Sequence, residues 1–562
     1  MTAKNPSEFY KTLIKTKVLD AYNACVKDGA LVDAEILDFD VEVPKDSHNG
    51  EFSANFALKN VRVLKVAPAI IGKQIAEHID CGEYIDTVEV AGPGFINFKM
   101  SQKYYSELVD NILSLGADFG KTDSLGGQTV LVEFVSANPT GPMHMGNARG
   151  GIIGDCLSAV LSWAGANVKK EFYVNDAGNQ VSLFGQSLYA RLYQLVNGED
   201  SYEFPDDGYH GDDIKILAKE FLALNGESVM ELEKDELIAK MVEFGLEKNI
   251  ARMQSDLNKY KIVYDKWFRE STLHKSGYVK ETIELLEKAG AIYENEGAKW
   301  FKATDYGCEK DEVMVKANGF YTYYAVDLAY HRNKFQERNF ERCINVLGAD
   351  HHGHTIRYKA GMKALGIEPD RLQVVLMQLV RLMRDGEVVR MSKRTGKSIT
   401  LSDLLDEIPT DAARFFFNMN RCESVMDFDL SLAVKQDSDN PMYYVQYAHA
   451  RICSILRNLE VDAASVASCG DYNFDTEAEK ELIRALSSFP SEVLFAADNF
   501  EPSRITKYVI DVASAFHKFY NACRIKGEAA DVAAARLALV VASKTVIKNA
   551  LTLMNIEAPE KM

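Results

Sequence analysis

Positive charge is scarce in this sequence: 64 Lys and Arg stand against 82 Asp and Glu, a net charge of −18. A protein that coats nucleic acid by bulk charge is thereby excluded. A structured RNA partner is not, because phosphate contacts need only a local basic surface. One stretch offers it, where Arg371, Arg381, Arg384, Arg390, Lys393, Arg394 and Lys397 face only Asp385 and Glu387. Cysteine is sparse: nine residues run from Cys25 to Cys523 without one C-x-x-C pair. That pattern reads as reduced, mostly buried thiols of a cytoplasmic protein and argues against a cysteine-built zinc site, so no structural metal is expected. Long apolar runs are missing as well. None approaches the ~20 residues of a membrane span, and the opening MTAKNPSEFYKTLIKTK lacks a signal peptide's apolar stretch. There is neither an internal repeat nor a low-complexity segment.

What is present is enough chain for several cores. At roughly 150 residues per domain, 562 residues predict three or four domains, and 47% apolar residues suffice to fill them. Residues 1–118 mix helix-like and strand-like stretches: Leu13 to Ala24 has helical spacing, and GPGFINFKM from Gly92 reads as a turn and a strand. After the linker-like SLGGQ comes TVLVEFV, Thr129 to Val135, a near-continuous apolar run of the kind buried on both faces of a parallel sheet. Beyond a loop, Ile152, Ile153, Cys156, Leu157, Val160 and Leu161 mark one helix face. Strand, loop and helix in that order open a nucleotide-binding α/β domain, assigned to 119–410. Within it, Asn197 to Asp213 is acidic and rich in Gly and Asp, and is predicted to be an exposed insertion. From about Asp411 strand signals fade and helical periodicity dominates, so 411–562 is predicted to be a helical domain. The fold class is α/β, with a Rossmann-type parallel sheet between an N-terminal α/β domain and a C-terminal all-helical one.

Two constellations carry chemistry. The first is EFVSANPTGPMHMGN, Glu133 to Asn147. Glu133 puts a charge into a buried strand; a lone buried carboxylate is costly, so either the strand is an edge with Glu133 in solvent or the site supplies a cation. Next, HMGN immediately precedes a helix, where free N–H groups and the helix dipole favour a phosphate. The second is VVRMSKRTGKS, Val388 to Ser398, a Gly/Ser loop whose Arg390, Lys393, Arg394 and Lys397 suit a polyphosphate, or else a solvated basic loop.

An H-x-G-x motif after the first strand, with M-S-K about 250 residues later, resembles the HIGH and KMSKS signatures of the class I aminoacyl-tRNA synthetases. The wider context resembles their arginyl family: VEFVSANPTGPMHMGNARG, YVNDAGNQ from Tyr173, YTYYAVDLAYH from Tyr321, VLGADHHGH from Val346, NPMYYVQYAHARICSI from Asn440 and the terminal IEAPEKM. These matches span almost the whole chain in the family's order. Two features stand apart. The fourth HIGH position is Asn147, which can donate a hydrogen bond but cannot be cationic. The chain also keeps Lys393 and has Gly141 upstream of HMGN, and so resembles the branch that retains the second KMSKS lysine.

The resemblance implies ATP-dependent activation of L-arginine and its transfer to tRNA(Arg), in a cytoplasmic monomer, with Mg2+ carried by the ATP phosphates. It implies catalytic roles for His144, Asn147 and Lys393. ATP contacts are implied along Ala137 to Asn147 (Pro142, Met143, His144, Met145, Gly146, Asn147), at Gly348, Asp350 and His351, and at Met391, Ser392 and Lys393. It places Glu133 and Asn138 at the α-amino end of arginine, Tyr323 and Asp327 around the guanidinium, and His351 beside the amino acid. For tRNA it implies Tyr444, Tyr447 and Arg451 at the anticodon, and Phe52 and Asn55 in a domain that contacts the D-loop. The helical domain resembles one named for a D-A-L-R motif, here DAAR from Asp411 to Arg414. Without the family, the Tyr-rich helix reads as a core helix and Asp327 as a surface carboxylate. Rival readings are a phosphoesterase or metal cluster at ADHHGH, a small-molecule nucleotidylyltransferase, and a non-catalytic tRNA-binding paralogue.

Overall fold

The computed structural model describes residues 4–389, 399–466 and 471–562, with only the backbone described at Ser47, His351 and His352. The chain divides into two compact units, one of residues 125–436 with 500–503, the other of 1–124 with 437–499 and 504–562.

The first unit is built on a five-stranded sheet: β1 Thr129–Glu133, β2 Asn167–Val174, β3 Lys266–Arg269, β4 Arg342–Gly348 and β5 Leu372–Met377. Its order is β5-β4-β1-β2-β3 and every neighbouring pair is parallel. The apolar run of β1 is thus explained by the central position, with Val130, Leu131 and Val132 almost fully buried. From β1 the chain steps one way to β2 and β3 and later the other way to β4 and β5. The reversal opens a crevice at the carboxyl ends of β1 and β4, where open α/β sheets bind ligands. Helix α1, Gly146–Trp163, returns from β1 and packs closely over it: a Cβ on Gly154 would stand 2.1 Å from the Phe134 ring, so only glycine fits there.

Between β2 and β3 lie three helices, α2 Asn179–Asn197, α3 Asp212–Asn225 and α4 Lys234–Lys259. They share a core of Phe184, Leu188, Leu192, Phe221, Leu237 and Met241. Before β4 come a small antiparallel sheet of Ile292–Asn295, Ala298–Phe301 and Glu312–Val315 and then helix α5, Tyr323–Arg332, which runs on into a single π turn, Asn333–Glu337.

The second unit joins the two ends of the chain. A four-stranded antiparallel sheet (Val41–Glu42, Phe52–Ala54, Phe95–Met100, Ile85–Ala91) carries helices Pro6–Lys27, Phe56–Leu64 and Pro68–His78. The C-terminal part is helical, including α6 Pro441–Asn458, α7 Ser503–Ala522 and α8 Ala530–Leu553. Buried polar contacts tie the parts together. Asn549 Nδ2 donates to the carbonyls of Gly116 and Phe119 at 2.9 and 3.0 Å. Glu51, buried, accepts from Tyr105 Oη at 2.5 Å and from Arg484 at 3.0 Å. The N-terminal and C-terminal segments thus pack into one compact unit. Among the described residues no helix is long and apolar enough to cross a membrane.

Candidate active site

Glu133 ends β1 and is only 6% exposed. The edge-strand alternative is excluded by its central place in the sheet, and the required cation is Lys334 of the π turn, whose Nζ lies 2.5 Å from Oε2 and whose side chain is fully buried. The other carboxylate oxygen accepts from Ser136 Oγ at 3.1 Å. Directly after the strand the backbone turns left-handed at Val135 (φ 71°) and Ser136 (φ 44°). A β-branched residue pays steric strain there, of order 1–3 kcal/mol, and such strain clusters at functional sites. The turn lets Ser136 reach back to Glu133 and accept from the Tyr173 N–H at 3.2 Å.

The loop then crosses the sheet's carboxyl edge to HMGN, and α1 begins at Gly146. Asn147 spends its amide oxygen on the backbone N–H of His144 at 3.1 Å, so the side chain's remaining capacity is an N–H donor. His144 itself is exposed. Met391, Ser392 and Lys393 lie outside the described residues, but the segment that follows them is anchored here. Met145 N–H donates to Ile399 O and Leu401 N–H to Met143 O, both at 3.0 Å, with His144 paired opposite Thr400. The two signature motifs, about 250 residues apart, thus share a short antiparallel ladder.

A cleft of about 490 Å3 opens on this loop, lined by Asn138, Pro142, Met143, His144 and Asn147. Asn138 donates to Gln180 Oε1 across it. Tyr209, His210 and Asp213 complete the wall. The segment Asn197 to Asp213 is exposed or half-exposed throughout, as an exposed insertion should be, and its last residues also reach the cleft. Gly348 ends β4, exposed Asp350 lies in the following 3-10 turn, and only the backbone of His351 is described.

A second cavity, about 540 Å3, contains Tyr323 and Asp327 on one face of α5, with Trp300, Glu312, Arg357 and Tyr358. Tyr323 is 61% exposed, its ring available to a ligand. Tyr358 Oη donates to Asp327 Oδ2 at 2.8 Å. Burial pushes the Asp327 carboxyl up to about 7 against the opposing effect of that hydrogen bond, and the charges of Glu270 and Glu133 push the same way. A half-neutralised acid beside three other polar groups is a place that gains by receiving a cation.

Sequence reasoning missed the support beneath this pair. Lys334 Nζ also donates to Asn345 Oδ1 at 3.1 Å, Asn345 Nδ2 lies 3.1 Å from His331 Nε2, and His331 Nδ1 lies 2.7 Å from Asp327 O. Glu171 on β2 accepts from Tyr330 Oη at 2.5 Å and pairs with Arg338. The available signal was the spacing 323, 327, 331, 334, which places all four residues on one helix face.

The nucleic-acid expectations divide. Tyr444 and Tyr447 lie on α6, where Tyr447 is 43% exposed and its ring is parallel to that of Tyr443 at 6.4 Å. Tyr444 rests against His517 at 5.1 Å, and the Arg451 guanidinium lies 4.5 Å from the Tyr520 ring. Part of the helix is core, with Val445, Ala448 and Ile452 buried, and part is an aromatic surface. Phe52 is a correction: at 2% exposure it is a core side chain edge-on to Tyr104 and has no face for RNA. Asn55 stands at a hollow of about 330 Å3 beside Asp40 and Asn97, accepting from Asp40 N–H at 2.9 Å. The DAAR stretch is a second correction. Its residues do not open the helical body but brace the sheet unit: fully buried Arg414 pairs with Asp155 of α1 at 2.5 Å, and Asp411 pairs with Lys261 at 2.7 Å.

With this geometry in hand, comparison with known proteins gives one answer. Residues 9–100 match the arginyl tRNA synthetase N terminal domain, 108–437 the class I (R) tRNA synthetase catalytic domain, and 445–562 the DALR anticodon binding domain. The arginine–tRNA ligase of Ruminiclostridium cellulolyticum is 50% identical over 563 aligned residues, covering 100% of both chains. That of Caldanaerobacter subterraneus subsp. tengcongensis is 52% identical over 98% of this chain and 99% of its own. The fold is that of the Thermus thermophilus arginyl-tRNA synthetase structure, with a TM-score of 0.73 at 20% identity over 98% of this chain and 100% of the other. The chain belongs to the arginyl-tRNA synthetase family of class I.

Proposed function

We propose that this chain joins arginine to tRNA(Arg) in two steps at the crevice between β1 and β4. It is an arginine–tRNA ligase that uses ATP. In the first step an oxygen of the arginine carboxylate attacks the α-phosphorus of ATP, the bond to the bridging oxygen breaks, and diphosphate leaves. In the second, a hydroxyl of the tRNA's 3'-terminal ribose attacks the carbonyl carbon and AMP leaves. No covalent enzyme intermediate is involved, so catalysis is positioning and stabilisation of the charge that builds on the phosphate oxygens.

ATP lies along the HMGN loop, with Mg2+ held largely by its own phosphates. The first N–H groups of α1, the His144 ring and the Asn147 amide donate to phosphate oxygens. Gly146, exposed at the helix start, leaves room for the nucleotide, and Pro142, Met143 and Met145 shape the wall. Lys393 closes over the leaving diphosphate, on a loop whose far end is pinned at Ile399. Met391 and Ser392 accompany it. Gly348, Asp350 and His351 surround the ribose and the amino acid.

Arginine lies along α5, with its guanidinium between Tyr323 and Asp327 and its amino group toward Glu133 and Asn138. The observation that carries this reading is the pair of sequestered carboxylates, Glu133 and Asp327, at opposite ends of one hydrogen-bonded network at the ligand edge of the sheet. Asp327 supplies the charge for the guanidinium, and Glu133, already paired with Lys334, offers the amino group a fixed oxygen acceptor. In the helical body, Tyr444, Tyr447 and Arg451 stack on unpaired anticodon bases, and Asn55 contributes within the N-terminal domain. The enzyme works as a cytoplasmic monomer.

The test is ATP–diphosphate exchange with each amino acid, with and without tRNA, followed by charging of tRNA. Arginine alone should support exchange, and only with tRNA present. Exchange with another amino acid, or none with arginine and tRNA together, would reject the assignment.

A further inference from the structure

We infer that Lys334 is a positioning residue of the arginine site, and that the helix face bearing Tyr323, Asp327, His331 and Lys334 gauges the length of the amino acid. The inference rests on the proposed placement of arginine between Glu133 and Asp327.

The four residues follow at intervals of four, four and three along α5 and its π turn. Asp327 and Lys334 stand about two helical turns apart, and it is Lys334 that fixes Glu133, the proposed anchor of the amino group. At the far end, Lys334 acts through Glu133. Its fully buried ammonium lies 2.5 Å from Oε2 of the carboxylate, 3.1 Å from Asn345 Oδ1 and 4.1 Å from the centre of the Tyr330 ring. Asn345 is the direct register neighbour of Glu133 on β4. Its amide N–H donates to His331 Nε2, which leaves the ring proton on Nδ1 to donate to the Asp327 carbonyl. That relay needs a neutral imidazole; burial and the adjacent Lys334 charge enforce it, holding the His331 pKa down to about 3. An unbroken chain of contacts, buried as far as His331, thus joins the Glu133 carboxylate to the backbone of Asp327.

Stability alone does not explain this arrangement, since a buried ion pair is often matched or bettered by apolar residues of the same volume. What the pair provides is a fixed carboxylate. Lys334 holds one oxygen of Glu133 and Ser136 the other, so the amino-group anchor cannot follow a longer or shorter substrate. A π turn, common at functional sites, brings Lys334 to this position.

The test compares arginine with homoarginine, one methylene longer, as substrate or competitive inhibitor of tRNA-dependent ATP–diphosphate exchange. The wild type is set beside Lys334→Gln, Asn345→Leu and Glu133→Gln, with thermal melts to verify folding. One methylene is worth about 10–200-fold in a fitted pocket, and Lys334→Gln should forfeit much of that. The arginine KM should rise, homoarginine should weaken less, the ratio between them should narrow by about tenfold, and the KM for ATP should hold. Asn345→Leu leaves the ion pair intact and should narrow the ratio in the same direction; it decides the matter if Lys334→Gln does not fold. Arginine and homoarginine weakening by one common factor, or an unchanged ratio in folded Asn345→Leu, would overturn the gauge while leaving the placement of arginine standing. Normal arginine use by Glu133→Gln would remove that placement and the gauge with it.

Discussion

Beneath Asp327 the polar groups are tied largely through side chains, by Tyr358, His331, Asn345 and Lys334, whereas at exposed His144 the contacts to the segment after the M-S-K motif run backbone to backbone. The first arrangement is held by paired groups, since removing Tyr358, His331 or Asn345 would strand a buried charge or dipole. The second is a short ladder that joins Met143 and Met145 to Leu401 and Ile399. The difference matches the two tasks. Under the proposed function, the first would select the amino acid, which requires a fixed shape and fixed acceptors, and the second would receive ATP. Substitutions in the buried end should therefore act on arginine KM and those in the open end on the rate of activation.

The largest effect is expected at Asp327. Asp327→Asn keeps the shape but removes the charge that receives the guanidinium, and should cost an apparent ~3–5 kcal/mol in arginine kcat/KM while sparing ATP. Citrulline, neutral and isosteric with arginine, should be rejected by the wild type by a factor on the order of 10⁴. Steady-state kinetics check both, and normal charging by the Asn variant would move the guanidinium partner elsewhere, with Asp350 tested next.

Lys393→Ala should lower the activation rate by roughly 10²–10³-fold, the usual cost of one preorganised donor to a transition state. Arginine affinity, measured by equilibrium dialysis, should not change. If activation stays near normal, the charge is supplied by another cation, Arg394 first. In the helical body, Tyr447→Ala should raise the KM for tRNA by an amount equivalent to about 1–3 kcal/mol, one stacked base. Its effect on an anticodon-free minihelix should be nil, and equal loss on both RNAs would place the aromatic surface outside anticodon reading.

Asp327 gives a pH signature. Its folded pKa, about 7, is above the unfolded value of 3.8. Between those values the folded state binds more protons, so this group's contribution to stability is lost as pH rises toward 7. Arginine binds the ionised form, so the thermal shift it produces should grow from pH 6 to 8; in Asp327→Asn that growth should vanish. A wild-type shift that is flat across this range would detach arginine binding from Asp327. The smallest change is expected for Asn147→His. The amide here mainly caps the start of α1, so activity should stay within about tenfold of the parent. A loss beyond a hundredfold would show that the local site is built around Asn.

How much could be read in advance varies with the range of the interaction. The central strand was legible because Thr129 to Val135 is an apolar run with no alternation, and Glu133 stood out because a charge in such a run needs a partner. The partner's identity was not legible: Lys334 is 201 residues away, and although its spacing from Tyr323, Asp327 and His331 puts it on their helix face, that spacing does not say that it meets Glu133. The same limit explains Arg414, which reads as a motif residue at a helical domain's start and is buried against Asp155 instead. Phe52 likewise could be a stacking platform or a core ring, and only its 2% exposure separates the two.

By itself, the sequence determined the chemistry: strand, loop and helix opening the sheet, the two signature motifs, the acids suited to a doubly cationic substrate, and an aromatic helix toward the C-terminus. These rest on periodicity and residue type, which act over a few neighbours. Only the tertiary structure decided which charges meet, that both ends of the chain share one compact unit, that Tyr209, His210 and Asp213 line the cleft at HMGN, and that contacts along one helix face run from the Glu133 carboxylate to the Asp327 backbone. Burial is the physical reason. Whether a side chain must find a partner depends on whether water is removed from it, and that is settled by segments hundreds of residues apart.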